Sequence, residues 1–378
     1  MKEFLNQLVV IEESVDTRQQ WKIKYRLSDI IFIVLVATLC NCDEWEEMEL
    51  FAEYHIDTLR KYIELKNGIP GHDTIRRAMA MLNPQILQDL MNEWQTRVEA
   101  GEDLSPQKLI HIDGKTVRGN ARCNEKPTHI VSAYCSDDGY TLGQIATDEK
   151  SNEITAIPEL LKKINVKGNI VTIDAIGTQK SIVELIKKDC KADYVLSVKG
   201  NQPTLCEDLK DYFDIPEVIT QLETNNDMNY LRTFEKAHGQ LETREYYQTD
   251  AIKWLFGKAE WHGLKTIGMV KTTIVKENKT SIEKRFFISS LPLDVKVFAK
   301  SVRSYWSIES MHWHLDVIFR EDANTTVNKV AVMNQNIIRK WALAIIKRVD
   351  SIHGKKCSLK TRRLVFSFSP AEMLERVL

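Results

Sequence analysis

Three acidic residues stand far apart in the chain, each in a setting that suits a metal-binding carboxylate. Asp113 closes the run Lys-Leu-Ile-His-Ile-Asp over 108–113, and Asp174 closes Asn-Ile-Val-Thr-Ile-Asp over 169–174. Glu309 lies in the segment Ser304 to Asp316, and in the helix around it Ile308, Met311, Leu315, Ile318 and Phe319 recur at helical spacing and form one apolar stripe. It sits about 100° round from Ile308, at the border of that stripe, so it can reach a site beside the core without full burial. Trp306 and Trp313 flank it at minus three and plus four, on roughly the same face. Two strand-end aspartates and one helical glutamate are a donor set for two divalent metals in phosphodiester chemistry. Mg²⁺ takes hard oxygen ligands and keeps several waters, so two or three carboxylates suffice; the expectation is two Mg²⁺ ions, with Mn²⁺ as a substitute. Each acid also has a plainer reading. Asp113 with Gly114 can be a turn, Asp174 can cap a helix, and Glu309 can be a surface glutamate between two tryptophans. The metal reading rests on their joint placement.

Other site types find little support. The sequence has no Gly-x-x-x-x-Gly-Lys-Ser/Thr phosphate loop and no His-Glu-x-x-His. Cys40 and Cys42 lie in an apolar helix without partner ligands, and His312 and His314, two apart on a helix, point in different directions, so zinc is not expected. The seven cysteines, at 40, 42, 123, 135, 190, 206 and 357, show no metal-ligand or disulfide spacing; reduced thiols of a cytoplasmic protein are the simple reading. The longest apolar run, Ile30 to Cys40, falls short of the about 20 residues a bilayer requires, and the N-terminus lacks a signal peptide's apolar core. No membrane association is expected.

The 378 residues are enough for two or three domains, and with 43% hydrophobic and 28% charged residues they can bury a sizeable core. A net charge of −1 counts against a nucleic-acid partner, because phosphate contacts draw on a basic excess. The excess is local instead. Nine Lys or Arg fall between Arg339 and Arg363 against one acid, Asp350, while acids gather at Asp43, Glu44, Glu46, Glu47, Glu49 and Glu53. The basic segment is either a DNA contact or a solvated face.

The elements that must position the three acids follow from pattern. Residues 1–100 read as helical: an apolar run at 30–40 behind Leu27-Ser28-Asp29 as cap, a helix from Glu44 to Leu65, one from Ile75 to Leu82 with Asp73 as N-cap, and one opened by Pro84. Arg76 and Arg77, near the start of the short helix, face DNA or merely solvent. From Gly101 the pattern turns to strands over Leu109–Asp113, His129–Tyr134 and Thr141–Thr147, a helix Glu153–Ile164, a strand Ile170–Asp174, a helix Gln179–Cys190 and a strand Tyr194–Val198. The order β-β-β-α-β-α-β predicts an α/β fold, a mixed sheet with flanking helices, and is that of a ribonuclease-H-like core. In such a sheet the first and fourth strands are neighbours, which brings Asp113 and Asp174 together. Residues 201–300 read as a β-rich insertion, with strands Leu241–Thr249, Leu264–Lys276 and Ile282–Ser290. Residues 301–378 complete the core and end in the basic helical segment.

These residues resemble a known family, the DDE-type insertion-sequence transposases, and within it the H-repeat-associated group. The resemblance is carried by His-Ile-Asp-Gly-Lys-Thr at 111–116, the stretch Thr147 to Leu160, Thr-Ile-Asp-Ala at 172–175 with Gly-Thr-Gln at 177–179, Val-Lys-Gly-Asn-Gln at 198–202 and the stretch Tyr305 to Asp322. Asp16-Thr17-Arg18 and Ile-Pro-Gly-His-Asp-Thr at 69–74 look like that group's associated N-terminal domain. The resemblance implies that Asp113, Asp174 and Glu309 are the catalytic, metal-binding triad. It also implies that the partner is double-stranded DNA, both the element's terminal inverted repeats and a target, bound by a dimer, in a cytoplasmic protein that joins the nucleoid on its DNA. Candidate DNA contacts are Lys115, Lys199, Asn201, Arg339, Lys340, Lys347 and Arg348; Trp254 or Trp261 can stack on an unpaired base or simply pack. The wider superfamily often has Arg four residues before the glutamate and Lys seven after. Here Tyr305 and Asp316 stand there, as expected of the H-repeat group, which leaves the source of those two contacts open. The group's His-Gly-Arg-x-Glu-x-Arg segment has Gln240 in place of its first Arg. The alternative to an active transposase is a catalytically idle, DNA-binding remnant of one.

Overall fold

The computed structural model describes residues 18, 21, 23–99, 107–121, 126–147, 153–237, 239–277, 279–349, 351–352 and 354–377. Asp16, Thr17, residues 148–152, His238 and Asp350 lie outside them.

One nine-stranded mixed sheet organises the molecule. Its strands are β1 (Leu109–Thr116), β2 (His129–Cys135), β3 (Tyr140–Thr147), β4 (Ile170–Ile173), β5 (Asp193–Val198), β6 (Tyr230–Ala237), β7 (Gln240–Thr249), β8 (Thr266–Lys276) and β9 (Lys279–Ser289). Their spatial order is β3-β2-β1-β4-β5-β9-β8-β7-β6. β1 to β3 form an antiparallel meander, and β4 and β5 add parallel to β1. This is the ribonuclease-H-like arrangement that the element order predicts. The β-rich stretch does not build a sheet of its own: β9 pairs antiparallel with β5, Val198 opposite Phe286, and β8, β7 and β6 follow outward.

The chemistry of the strands explains their layering. β2 is buried along its whole length, and the four residues of β4 are buried too, as central strands covered on both faces require. On one face, α5 (Glu153–Lys163), α6 (Lys180–Glu184) with the π-turn Leu185–Asp189, and α7 (Pro203–Phe213) cover a core that includes Ile112, Ile157, Val171, Ile186, Leu196 and Ile267. On the other, α9 (Val295–Ser304) covers Val195, Val270 and Phe287 with its own Val295 and Phe298. The helix α8 (Pro216–Thr224) packs against β7.

The helical part has a core of its own. α1 (Leu27–Leu39) is apolar all round and all thirteen of its residues are buried, the behaviour of a helix enclosed on every side. Around it lie α2 (Trp45–Tyr54), α3 (His72–Met81), α4 (Pro84–Glu99), α10 (Trp306–Val317), α11 (Lys329–Lys347), α12 (Leu359–Phe368) and α13 (Pro370–Val377). One apolar cluster holds Ile33, Leu35 and Trp94 from the N-terminal helices together with Ile308, Leu315, Trp341 and Phe366 from the C-terminal ones. The described N-terminal helices and the C-terminal helices therefore share one packed core, a contact that no local pattern announces.

Several local expectations change. The helix expected over Glu44–Leu65 breaks at His55, with only a short turn, Ile56–Leu59, beyond it. Gly71, not Asp73, occupies the N-cap of α3; Asp73 lies in the first turn, 2.7 Å from Arg76 and 3.8 Å from Arg77. α1 begins at Leu27, so Ser28 and Asp29 are inside it. The stretch after Asn201 opens with α7 and α8, and β6 joins the three strands expected there.

The basic stretch 339–363 is only partly a solvated face. Arg339 and Lys340 are each 4% exposed on α11. Arg363 is fully buried, its guanidinium forked onto Asp43 at 2.6 and 3.3 Å and donating to the Thr38 and Ile318 carbonyls. Arg362 donates to the carbonyls of Ile346 and Lys347. Lys355, Lys356 and Lys360 stay exposed. Among the described residues no helix is long and apolar enough to cross a membrane.

Candidate active site

The β1–β4 register decides the geometry. Ile112 lies opposite Ile173, so Asp113 and Asp174 are the next residues on adjacent parallel strands. Asp174 directly follows β4, as expected. Asp113 does not end its strand: β1 runs on to Thr116, paired with β2, and puts Asp113 opposite Ser132. The third acid arrives from α10, which packs against β1. The apolar stripe of that helix is buried throughout, which fixes its rotation and leaves Glu309 exposed at the border. All three carboxylates line one pocket of about 200 Å³, together with Ser197, Lys199, Arg285, Tyr305 and Trp306. Asp174 also caps a 3₁₀ turn, its Oδ1 accepting from the Ile176 N–H at 3.0 Å; the cap and the pocket share one side chain.

The electrostatics are those of crowded carboxylates. Burial pushes the Asp113 carboxyl up to about 7; a hydrogen bond from the Gly114 N–H opposes this, and the charges of Asp174, Glu153 and Glu309 add to it. Asp174 is raised by burial and by Glu153, against two backbone hydrogen bonds and Lys199. Glu309 is raised by burial and drawn down by Arg285 and Lys199. The Tyr305 hydroxyl is raised by burial and by the charges of Asp113, Asp174 and Glu309, with a hydrogen-bonding approach to Asp113 adding to them. His312 Nδ1 lies 3.7 Å from Asp113. Burial drives that imidazole down to about 3, with Lys340 and Lys115 contributing, so it is a neutral wall and not a counter-charge.

A fourth carboxylate stands behind the first two. Glu153, at the start of α5, is buried and holds His129 Nε2 at 2.7 Å, while His129 Nδ1 meets Thr116 Oγ1 at 2.8 Å. Gly114 makes this possible: a Cβ there would collide with His129 Nε2 and Glu153 Oε1. Pattern reading missed Glu153, Tyr305, His312 and Arg285 as parts of the site. Glu153, Tyr305 and His312 lie within motif segments, but only the closure of the sheet and the seating of α10 bring them to Asp113.

As for the metal, no three His, Cys, Asp or Glu side chains among the described residues stand close enough together to hold an ion as they are. The donor chemistry fits all the same. Three hard oxygen donors from three elements face one pocket with no thiolate among its lining residues, which suits Mg²⁺ or Mn²⁺.

The basic candidates separate by environment. Lys199 is exposed at the end of β5 and lines the pocket. Asn201 donates to the Ala175 carbonyl and holds the loop that follows Asp174. Lys115 turns inward instead, its Nζ 2.6 Å from Asp316 and 2.7 Å from Glu321. Arg339 lies 3.8 Å from Glu321, and Lys340 donates to Ser132 at 2.7 Å and Gln144 at 2.5 Å. Lys347 donates to the Tyr134 hydroxyl at 2.5 Å, and Arg348 is half-buried. Lys115 on β1 and Arg339 and Lys340 on α11 thus point their head groups into the protein, the latter two because α11 runs through the interior. Trp261 is buried in the core; Trp254 stacks on Tyr212 at 4.6 Å.

A ribonuclease-H-like sheet with acidic residues gathered where β1 and β4 part defines the class of protein. The family model described as "Transposase DDE domain" matches residues 104–345, and one described as "DDE_Tnp_1-associated" matches residues 9–95. The chain belongs to the DDE transposase family. It is 37% identical over 359 residues to "Putative transposase YncI" of Escherichia coli O157:H7, covering 92% of this chain and 90% of that protein. It is 37% identical over 315 residues to "H repeat-associated putative transposase YhhI" of Escherichia coli (strain K12), covering 81% of each. A shorter match, 43% identical over 65 residues, covers 17% of this chain and 77% of "Inactive transposase YbfQ" from the same strain.

Proposed function

We propose that the protein is an active, metal-dependent DNA transposase that cuts the ends of its element and joins the freed 3′-hydroxyls to target DNA, with Asp113, Asp174 and Glu309 as its catalytic ligands. The observation that supports this most directly is the meeting of the three carboxylates, from β1, β4 and α10, in one pocket. Two divalent ions, Mg²⁺ or Mn²⁺, supply activation of the attacking oxygen and stabilisation of the leaving one when bound. The chain's own residues do the rest. Asp113, Asp174 and Glu309 present oxygen donors. Tyr305 and the neutral His312 wall Asp113 off from solvent, and Asn201 steadies the loop after Asp174. Lys199, exposed at the pocket mouth, meets a phosphate of the entering strand. The partner is double-stranded DNA, both terminal inverted repeats and target, and the pairing of two ends calls for a dimer in the complex. In this reading residues 1–100 and the insertion 201–300 hold DNA against the core.

The test is cleavage of a plasmid carrying the DNA that flanks the gene, with Mg²⁺ present or absent. Wild type should nick at the flanks only with metal, and Asp113→Asn, Asp174→Asn and Glu309→Gln should each lose about 10² to 10³ in rate, the scale of losing one preorganised charged group, while keeping fold and DNA affinity. A variant that cuts near the wild-type rate removes that residue from the site. A second reading, a DNA-binding remnant that no longer cuts, draws on the spacing of the carboxylates as they stand; wild type that binds the flanks and never cuts them would establish it.

A further inference from the structure

Beside the carboxylates, the pocket wall carries a cluster of cations on an aromatic ring. Three guanidinium groups surround Trp306: Arg303 at 5.1 Å from the ring centroid, Arg285 at 5.3 Å and Arg244 at 5.4 Å. Two of them are engaged. Arg244 is 3% exposed and bridges Glu235 at 2.9 Å and Glu242 at 2.6 Å. Arg303 lies on Glu235 at 3.2 Å. Arg285 differs. Among the described residues its one ion pair is with Glu283 at 3.9 Å, and that glutamate is 67% exposed, a contact worth little in water. Among the described residues its buried Nε has no hydrogen-bond partner, an unfavourable state for a donor.

Position gives this unspent guanidinium a use. Arg285 and Lys199 are the next residues beyond the final β5–β9 pair, Val198 opposite Phe286, so two cations stand side by side where β5 ends and β9 runs on beside β8. Both line the pocket that holds Asp113, Asp174 and Glu309. Trp306 fixes the plane of the guanidinium, as arginine on an aromatic face does. A planar fork with free donors, held rigid beside a polyanion-cleaving site, matches the oxygens of a phosphodiester.

We propose that Arg285, seated on Trp306, binds a backbone phosphate of the DNA strand that enters the carboxylate pocket. The inference rests on the reading of that pocket as the site of DNA cleavage. It makes the β-rich insertion part of the active-site wall, since Arg285 is its contribution from β9.

The experiment measures binding of wild type, Arg285→Ala, Arg285→Gln, Arg285→Lys and Arg303→Ala to a duplex carrying the gene-flanking sequence, in Ca²⁺, between 50 and 200 mM salt. Circular dichroism melts check the fold, and Arg285→Gln keeps the side chain's bulk. Loss of one phosphate contact lowers the log–log salt slope by about 0.9, so affinity should change about threefold less across that range in Arg285→Ala and Arg285→Gln. Arg303→Ala and Arg285→Lys should keep the wild-type slope. Duplexes with single methylphosphonates near the cleavage point supply the second readout. One of them should weaken wild type and leave Arg285→Gln unaffected. An unchanged slope with the same methylphosphonate profile in Arg285→Gln overturns the proposal. Wild type that binds but never cuts fails the cleavage reading alone, with the slopes still deciding on Arg285; wild type that does not bind overturns both.

Discussion

Lys115→Met tests what ties the glutamate-bearing helix to the first strand. Lys115 Nζ on β1 lies 2.7 Å from Glu321, 2.6 Å from Asp316 at the end of α10, and 3.5 Å from Asp322. Glu321 is fully buried, with Asn336 at 2.7 Å as a further donor and Arg339 at 3.8 Å. Burial alone would push its carboxyl up, but the charges of Lys115 and Arg339 outweigh that and bring it from 4.5 to about 2. At about 1.4 kcal/mol per pH unit, the depression corresponds to roughly 3 kcal/mol, near the about 3–5 kcal/mol that breaking a buried pair costs. The sign is that of a depressed acid: the contribution is present above the unfolded value of 4.5 and is lost as pH falls through about 2. Methionine keeps the methylene stem and removes only the charge. Urea unfolding at pH 7 should therefore show Lys115→Met less stable by about 3 kcal/mol. Lys115→Met with Glu321→Gln should recover part of it, because the residues share one network. A single variant within about 0.5 kcal/mol of wild type, the scatter of ordinary surface changes, refutes the clamp. So does a double variant whose loss is the plain sum of the two. Undiminished stability with a shallower salt dependence of DNA binding would return Lys115 to the role of DNA contact.

Two further outcomes follow from the same electrostatics. Asp113 is an acid held up to about 7, so the folded state keeps a proton that the unfolded chain gives up, and without metal its contribution falls as pH rises from about 4 through 7. Asp113→Asn should then be more stable than metal-free wild type at pH 8 and no different at pH 4; urea midpoints at both pH values check this, and equal midpoints at pH 8 refute it. Lys340 is a buried base brought down to about 7 by its burial, with Glu321 opposing and Lys115 adding, so wild type should gain stability as pH rises from about 7 toward 10. Lys340→Met should flatten that slope and leave the salt dependence of DNA binding unchanged; a shallower salt dependence would make it a DNA contact after all.

Much of the candidate site's plan was legible along the chain. Two apolar runs ending in aspartate, 108–113 and 169–174, read as strands, and the order of elements makes those strands neighbours. The period of Ile308, Met311, Leu315 and Phe319 set the face of the helix that carries Glu309. Both signals are local: side-chain alternation and helical spacing are fixed by backbone geometry within a few residues. Charge was the poorer guide. The nine cations between Arg339 and Arg363 look alike in sequence, yet Arg339, Lys340 and Arg363 are interior groups matched to Glu321, Ser132, Gln144 and Asp43. A burial that depends on partners outside the helix, most of them about two hundred residues or more away in the chain, leaves no periodicity to read.

By itself the sequence determined the three carboxylates, the strands and helix that carry them, and the β1–β4 adjacency that unites the first two. Only the tertiary structure decided the rest: that β1 continues past Asp113, that Glu153 and His129 close behind it over Gly114, that the inserted strands extend the same sheet, and that Arg285 thereby reaches the pocket while Lys115 does not face it. The reason is range. Pairing of β5 with β9 and seating of α10 on β1 are contacts between segments far apart in the chain, chosen by the burial of whole faces, and no residue's neighbours in sequence specify them.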